Sequence, residues 1–394
     1  MSRQRFGIAG IILLMIAIGV WVALPKQGRS PGSIASRTVS SSPQHEAQLQ
    51  PAGTPSKPVA ALDPWTRPST MVAARNLRRA RIALLREFGA SEKLVSRLTD
   101  GDILAVIQEL KQQARRGDAA AANILEYMAY STCGFASVNG EGSPSQAQQL
   151  LDAQALPAQD TQWMRAAIQE KNAHDNRMIA ACQQAMDKKE IEAWVASSAN
   201  QGNGASLWLL SRYGTNPSSA FKEQKLMDAA DAGYPEAQAF LAQGLMNGTA
   251  HLPAGIADQS AGNLLEVAAD TLPYAESALA VCEFKGCPGI DTDIPAAVAH
   301  AREAAQRGSF DAIIQIGPQL QASQMDPDEV TAWTLAGAML SQQGCSYNGL
   351  TVQWMTSATG TLTSGASSDK AKALAEKYWH DFGAQMMANI GCGS

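Results

Sequence analysis

Residues 229–248 read AADAGYPEAQAFLAQGLMNG, residues 268–286 read AADTLPYAESALAVCEFKG, and residues 304–317 begin again as AAQRGSFDAIIQIG. The alanine pairs Ala229-Ala230, Ala268-Ala269 and Ala304-Ala305 recur at intervals of 39 and 36 residues. A one-residue gap brings Leu241 onto Leu279 and Gly248 onto Gly286. Degenerate copies lie upstream, ARRGDAAAANILEYMAY at 114–130 and SANQGNGASLWLLSRYG at 198–214. Self-similarity at this period marks a supersecondary unit that buries its apolar face only by stacking on its neighbours. Paired alanines let helix backbones approach, and a glycine after a helix takes the left-handed cap. The expectation is an all-α solenoid with a concave surface.

The unit resembles the Sel1-like repeat, a relative of the tetratricopeptide repeat. The resemblance rests on Gly289-Ile290, Asp293, Ala297, Ala304-Ala305, Gly308 and Ala312, and in the preceding unit on Gly255-Ile256, Asp258 and Ala268-Ala269. It is clearest over about 200–320 and weak over 71–199 and 321–394. Leu272 stands where the repeat has glycine, the aspartate spacing of the preceding unit is one residue short, and the copy at 198–214 lacks one residue before Ala205. The resemblance implies protein–protein scaffolding rather than chemistry. Asp258 and Asp293 are read as helix caps, not acid–base groups.

Working outward, residues 72–88 and 102–116 place apolar residues at three- and four-residue spacing, the face of an amphipathic helix. Asp102 is placed to cap the second helix and Gly117 to end it. Residues 368–390 form a longer helix whose Leu374, Tyr378, Phe382 and Met386 make an i, i+4 ladder. Its simplest role is a lid over the last exposed face of the array, within a C-terminal helical cap spanning 321–394. The whole chain has 394 residues, 45% hydrophobic and only 6% aromatic. Such a chain folds, and its alanine favours helices over sheet.

Residues 7–24, GIAGIILLMIAIGVWVAL, carry no charge. As a helix they extend about 27 Å, close to the thickness of a bilayer core. The run exceeds the apolar core of a signal peptide, and no good A-x-A site follows it. Residues 1–25 are therefore expected to be an uncleaved transmembrane anchor. Residues 26–70 continue as a disordered linker rich in proline and serine. Residues 1–70 hold seven basic and two acidic side chains, a net +5, so the remainder carries −10. An acidic body disfavours nucleic acid as a partner.

All six cysteines, Cys133, Cys182, Cys282, Cys287, Cys345 and Cys392, follow the apolar run. An even number beyond an anchor fits an oxidising compartment. The body is thus placed in a bacterial periplasm, tethered to the inner membrane by a single pass. Fifteen pairings are open, and the order 133–182, 282–287, 345–392 needs only sequence-near closures.

No H-E-x-x-H, G-x-S-x-G or phosphate-binding glycine loop occurs, so no catalytic residue, metal or cofactor is assigned. The expected function is an adaptor for an envelope protein or peptide. Tyr213, Tyr234, Phe240, Tyr274, Phe284 and Phe310 recur near helix ends as candidates to line its groove. Two alternatives are a cell-wall-acting enzyme using Asp102, Glu109 and Glu126, and a purely structural envelope component.

Overall fold

The computed structural model describes residues 68–133, 158–215, 218–247, 259–320, 325–345 and 368–392. The proposed anchor at 7–24, nearly all of the linker, Gly248, Gly255-Ile256 and Asp258 lie outside the described residues. No described helix is long and apolar enough to cross a membrane.

Among the described residues the chain is helical throughout. The elements are α1 (Thr70–Ala83), a 3-10 turn (Leu84–Phe88), α2 (Glu92–Asp100), α3 (Ile103–Arg115), α4 (Ala119–Tyr127), a π turn (Met128–Thr132) and α5 (Ala158–Ala185). Then follow α6 (Lys188–Asn200), α7 (Gly204–Tyr213), α8 (Ser219–Asp231), α9 (Pro235–Met246), α10 (Gln259–Thr271) and α11 (Pro273–Lys285). The last four are α12 (Ile294–Gln306), α13 (Asp311–Leu320), α14 (Pro327–Gln342) and α15 (Asp369–Ile390). The one β pairing among the described residues is an isolated antiparallel bridge between Cys287 and Ile290.

Local chemistry explains the recurring turn. Gly233 sits just past α8 with φ +78°, and the Tyr234 amide donates to the Ala229 carbonyl at 3.1 Å. This is a Schellman end, in which only the residue at the glycine position must be left-handed. Tyr234 is also the N-cap of α9, so the chain reverses with no residue to spare. Asp118 and Asn203 hold the same double post, and their side chains accept from the Ala121 and Ser206 amides. Leu272 lacks the glycine's freedom, and the chain there takes a shorter route. Leu272 is extended at φ −107° and enters α11 directly at Pro273.

Asp293 caps α12 as expected, accepting from the Ala296 amide at 3.0 Å. Asp102 does not cap α3 through its side chain; its carboxylate accepts from Arg97 at 2.9 Å instead. The amphipathic stretch 72–88 also departs from one continuous helix, since α1 tightens into the 3-10 turn at Leu84 and ends at left-handed Gly89.

The alanine pairs are buried, each residue 4% exposed or less. Successive pairs α6–α7, α8–α9, α10–α11 and α12–α13 pack side by side. A large core spans α11 to α15 around fully buried Trp333, and another spans α1 to α7. α15 acts as the lid: Tyr378 stacks on Trp333 with ring centroids 4.0 Å apart, and Phe382 lies at 6.1 Å. It also reaches the first helix. Ala80 of α1 belongs to the C-terminal core, while Ile82 and Ala83 belong to the N-terminal one. The first and last helices of the array therefore meet.

Candidate functional site

An aromatic ridge runs across the middle of the array. Phe88 meets Tyr127 at 4.7 Å between ring centroids, Tyr127 meets Tyr213 at 6.3 Å, and Tyr213 stacks on Tyr130 at 4.9 Å. A second ring group on the ridge centres on Trp208, 6.3 Å from Tyr234 and 5.6 Å from Phe240. The Arg212 guanidinium lies 4.2 Å from the Phe240 ring centroid, and the Lys188 ammonium 4.9 Å from that of Tyr130. These distances allow cation–π attraction. Phe240 remains 39% exposed and Tyr274 43%, so the ridge presents large rings to solvent.

Carboxylates accompany the rings. Glu87 keeps solvent access, yet desolvation, with Glu236 adding like charge, pushes its carboxyl up to about 8. Glu236 is buried and also raised, chiefly by desolvation. Desolvation comes first and Glu236 second in pushing the Tyr234 phenol up. Further along, Glu126 is completely buried, and among the described residues neither of its oxygens finds a hydrogen-bond donor. Desolvation, then the Glu192 charge, push its carboxyl up to about 8. Glu192 accepts from the Tyr130 hydroxyl and the Thr215 hydroxyl, each at 3.2 Å. Burial as complete as that of Glu126 favours the neutral acid.

A second concavity lies among α10, α11 and α12. It encloses about 360 Å³ and is lined by Glu266, Asp270, Glu276, Glu283, His300 and Glu303 among others. Arg307 donates to the Glu276 carboxylate at 2.5 Å and to the Ala269 carbonyl at 2.9 Å. His300 Nδ1 lies 2.7 Å from the Glu283 carboxylate. Burial raises both Glu276 and Glu283, although each faces a basic partner. Among the described residues no group of three His, Cys, Asp or Glu side chains is placed to hold a metal ion.

Of the six aromatic candidates, Tyr213, Tyr234, Phe240 and Tyr274 reach the ridge or its edge. Phe310 does not: it is 6% exposed within the C-terminal core, and Phe284 packs partly buried against the same core. Buried Phe310 therefore fills space between helix pairs instead of lining an open groove, while Phe284 keeps part of its ring in solvent. Asp102 and Glu109 are brought together, but by Arg97, which donates to both at 2.9 and 2.6 Å. Glu126 stands apart in the buried interior. Sequence reasoning missed Glu87, Glu236, Tyr130 and Trp208 as ridge residues. Only the position of Glu236, just after the repeat turn, carries a signal of its own.

Cys133 and Cys182 are bonded, with Cα atoms 5.8 Å apart, tying the end of the π turn to α5. Cys282 and Cys287 are bonded at 5.1 Å and pin the end of α11. Cys345 and Cys392 are buried free thiols.

No family model matches the chain. No curated protein matches it either. Among solved structures, a protective antigen present in uropathogenic Escherichia coli strains, displaying an SLR fold, is similar with TM-score 0.39 and 18% identity. That match covers 72% of this chain and 66% of the antigen chain, so this chain spans just under two thirds of the antigen's length. A Sel1 repeat protein from Oxalobacter formigenes is similar with TM-score 0.36 and 17% identity, over 75% of this chain and 93% of that one.

Proposed function

We propose that this chain is an adaptor of the Sel1-like repeat type, binding an envelope protein or peptide through the aromatic ridge. The observation that carries this reading is the exposure of Phe240 and Tyr274, with Phe240 packed against Trp208 and Arg212 and buried Glu236 following Tyr234 at the adjoining turn. Large rings give contact area at low entropic cost, and desolvated acids reward a basic side chain placed between them. The partner is therefore a protein segment that mixes apolar and basic residues.

The apolar run at 7–24 supports tethering to a bacterial inner membrane, and the paired cysteines support a periplasmic body. Crosslinking of the full chain in intact cells tests the adaptor reading. A single partner should be captured by the native chain and lost on Phe240→Ala with Tyr274→Ala. Undiminished capture by that variant would reject the ridge. Fusion of a compartment-sensitive reporter after residue 394, with carbonate extraction, tests topology. A reporter active only in the cytoplasm would reject the periplasmic placement.

A further inference from the structure

Two helices end in the same dipeptide. After α14 comes Gly344-Cys345, and after α15 comes Gly391-Cys392. Both ends are Schellman caps. Gly344 and Gly391 have φ +76° and +80°. The Cys345 amide donates to the Leu340 carbonyl at 3.2 Å, and the Cys392 amide to the Met387 carbonyl at 2.7 Å. Each cysteine is thus the residue that such a cap turns back onto its own helix.

Both caps close on α1. A Cβ on Gly344 would stand 2.7 Å from the Ala73 carbonyl oxygen, and one on Gly391 would stand 2.0 Å from the Ala83 Cβ. Asn76 of α1 joins them: its side-chain amide donates to the Gln343 carbonyl at 2.6 Å, while its own carbonyl lies 3.7 Å from the Cys392 sulfur. Cys345 and Cys392 are 1% and 2% exposed and belong to one buried cluster. The Cys345 thiol faces the Gln343 carbonyl at 3.9 Å, the same carbonyl that Asn76 holds. Two buried thiols thus sit on matching caps, in one cluster, on either side of a single asparagine.

The geometry points to a third disulfide, Cys345–Cys392, that clasps the two helix ends beneath α1 and so closes the array where its first and last helices meet. The reaction is exchange with a donor disulfide, such as an oxidised dithiol protein or oxidised glutathione. One sulfur–sulfur bond forms between Cys345 and Cys392 while the donor's bond breaks, and two electrons and two protons pass to the donor as two thiols. The thiolate is the attacking species, and burial raises the Cys345 thiol well above its ordinary value. The exchange therefore belongs to folding, before α1 seals the caps. The closed loop contains α15, so the bond restricts the unfolded chain over 345–392.

The full chain in detergent is refolded from the reduced state in a mixture of oxidised and reduced glutathione. It is then denatured, alkylated with a maleimide and digested without reduction. The expected result is no maleimide on Cys345 or Cys392 and a peptide joining the two. Alkylation of both residues, or recovery of either bonded to another cysteine, overturns the clasp. The double variant Cys345→Ala with Cys392→Ala, refolded alike, should melt several degrees lower, and an unchanged melting temperature overturns the stabilising role. If that variant does not fold, the peptide map of the native chain decides. No partner enters either readout, so failure here leaves the adaptor reading untouched, and the reverse also holds.

Discussion

Gly391, at the end of α15, lies against Ala83 of α1 so closely that a Cβ on the glycine would stand 2.0 Å from the alanine's Cβ. The contact fastens the last helix of the array to the first. Arg86 adds to it by donating to the Ala388 carbonyl at 3.3 Å, and Asn389 ties α15 back to the Arg307 carbonyl at 2.8 Å. α1 consequently belongs to both large cores, and loosening its seat should be felt at both ends.

Gly391→Ala should destabilise the protein by more than about 2 kcal/mol, since it adds a steric clash to the strain of a left-handed alanine. Gly101 provides the control: its φ is +106°, but a Cβ there meets nothing within 4 Å. Gly101→Ala should therefore cost about 1 kcal/mol, from backbone strain alone. Urea unfolding of the two variants measures the difference. Equal midpoints would mean that the close contact contributes nothing.

Glu126 makes stability depend on pH. Its folded carboxyl titrates near 8, above the ordinary value of 4.5. Below the ordinary value both states hold the proton. As pH rises toward 8 the unfolded chain releases it first, so stability falls across that window, by up to about 1.4 kcal/mol per pH unit for one group. Glu126→Gln should reduce the slope, leaving the share of Glu87 and Glu236, and make the variant more stable than the native chain at pH 8. Thermal melts at pH 5, 6, 7 and 8 provide the comparison. An unaltered slope would place the titrating group elsewhere.

The Arg307–Glu276 pair should resist halving. The Glu276 side chain is 5% exposed and that of Arg307 16%. Arg307→Ala strands a buried carboxylate and should cost about 3 kcal/mol. Adding Glu276→Gln should recover much of that loss. A double-mutant cycle by chemical denaturation measures the coupling, and strictly additive losses would show that the pair is energetically idle.

Phe240→Ala and Phe310→Ala separate surface from core. Phe240 is exposed, so its truncation should change stability by less than about 1 kcal/mol while weakening partner capture tenfold or more. Phe310→Ala empties a core site and should cost about 3–5 kcal/mol. Calorimetric melting alongside crosslinking yield distinguishes the two. A partner that binds the Phe240 variant normally would lie on another face.

The local architecture was readable from the chain. Alanine pairs, the glycine turn, the Asp293 cap and the i, i+4 ladder of 374–386 each act within a few residues, through backbone hydrogen bonds and the 3.6-residue period. What they determine is a helix pair and the fact that pairs stack. Tertiary structure decided the rest. Phe310 and Tyr274 stand near equivalent turns, yet one is buried and the other open, because the neighbouring pair covers only the first. Glu126 carries no local mark of burial; α4 hides it only after α6 packs alongside. The meeting of Gly391 with Ala83, and of Cys345 with Cys392 under α1, depends on the small rotation added by every intervening pair. No single segment encodes that sum, so only the assembled stack determines where the two ends of the array come to rest.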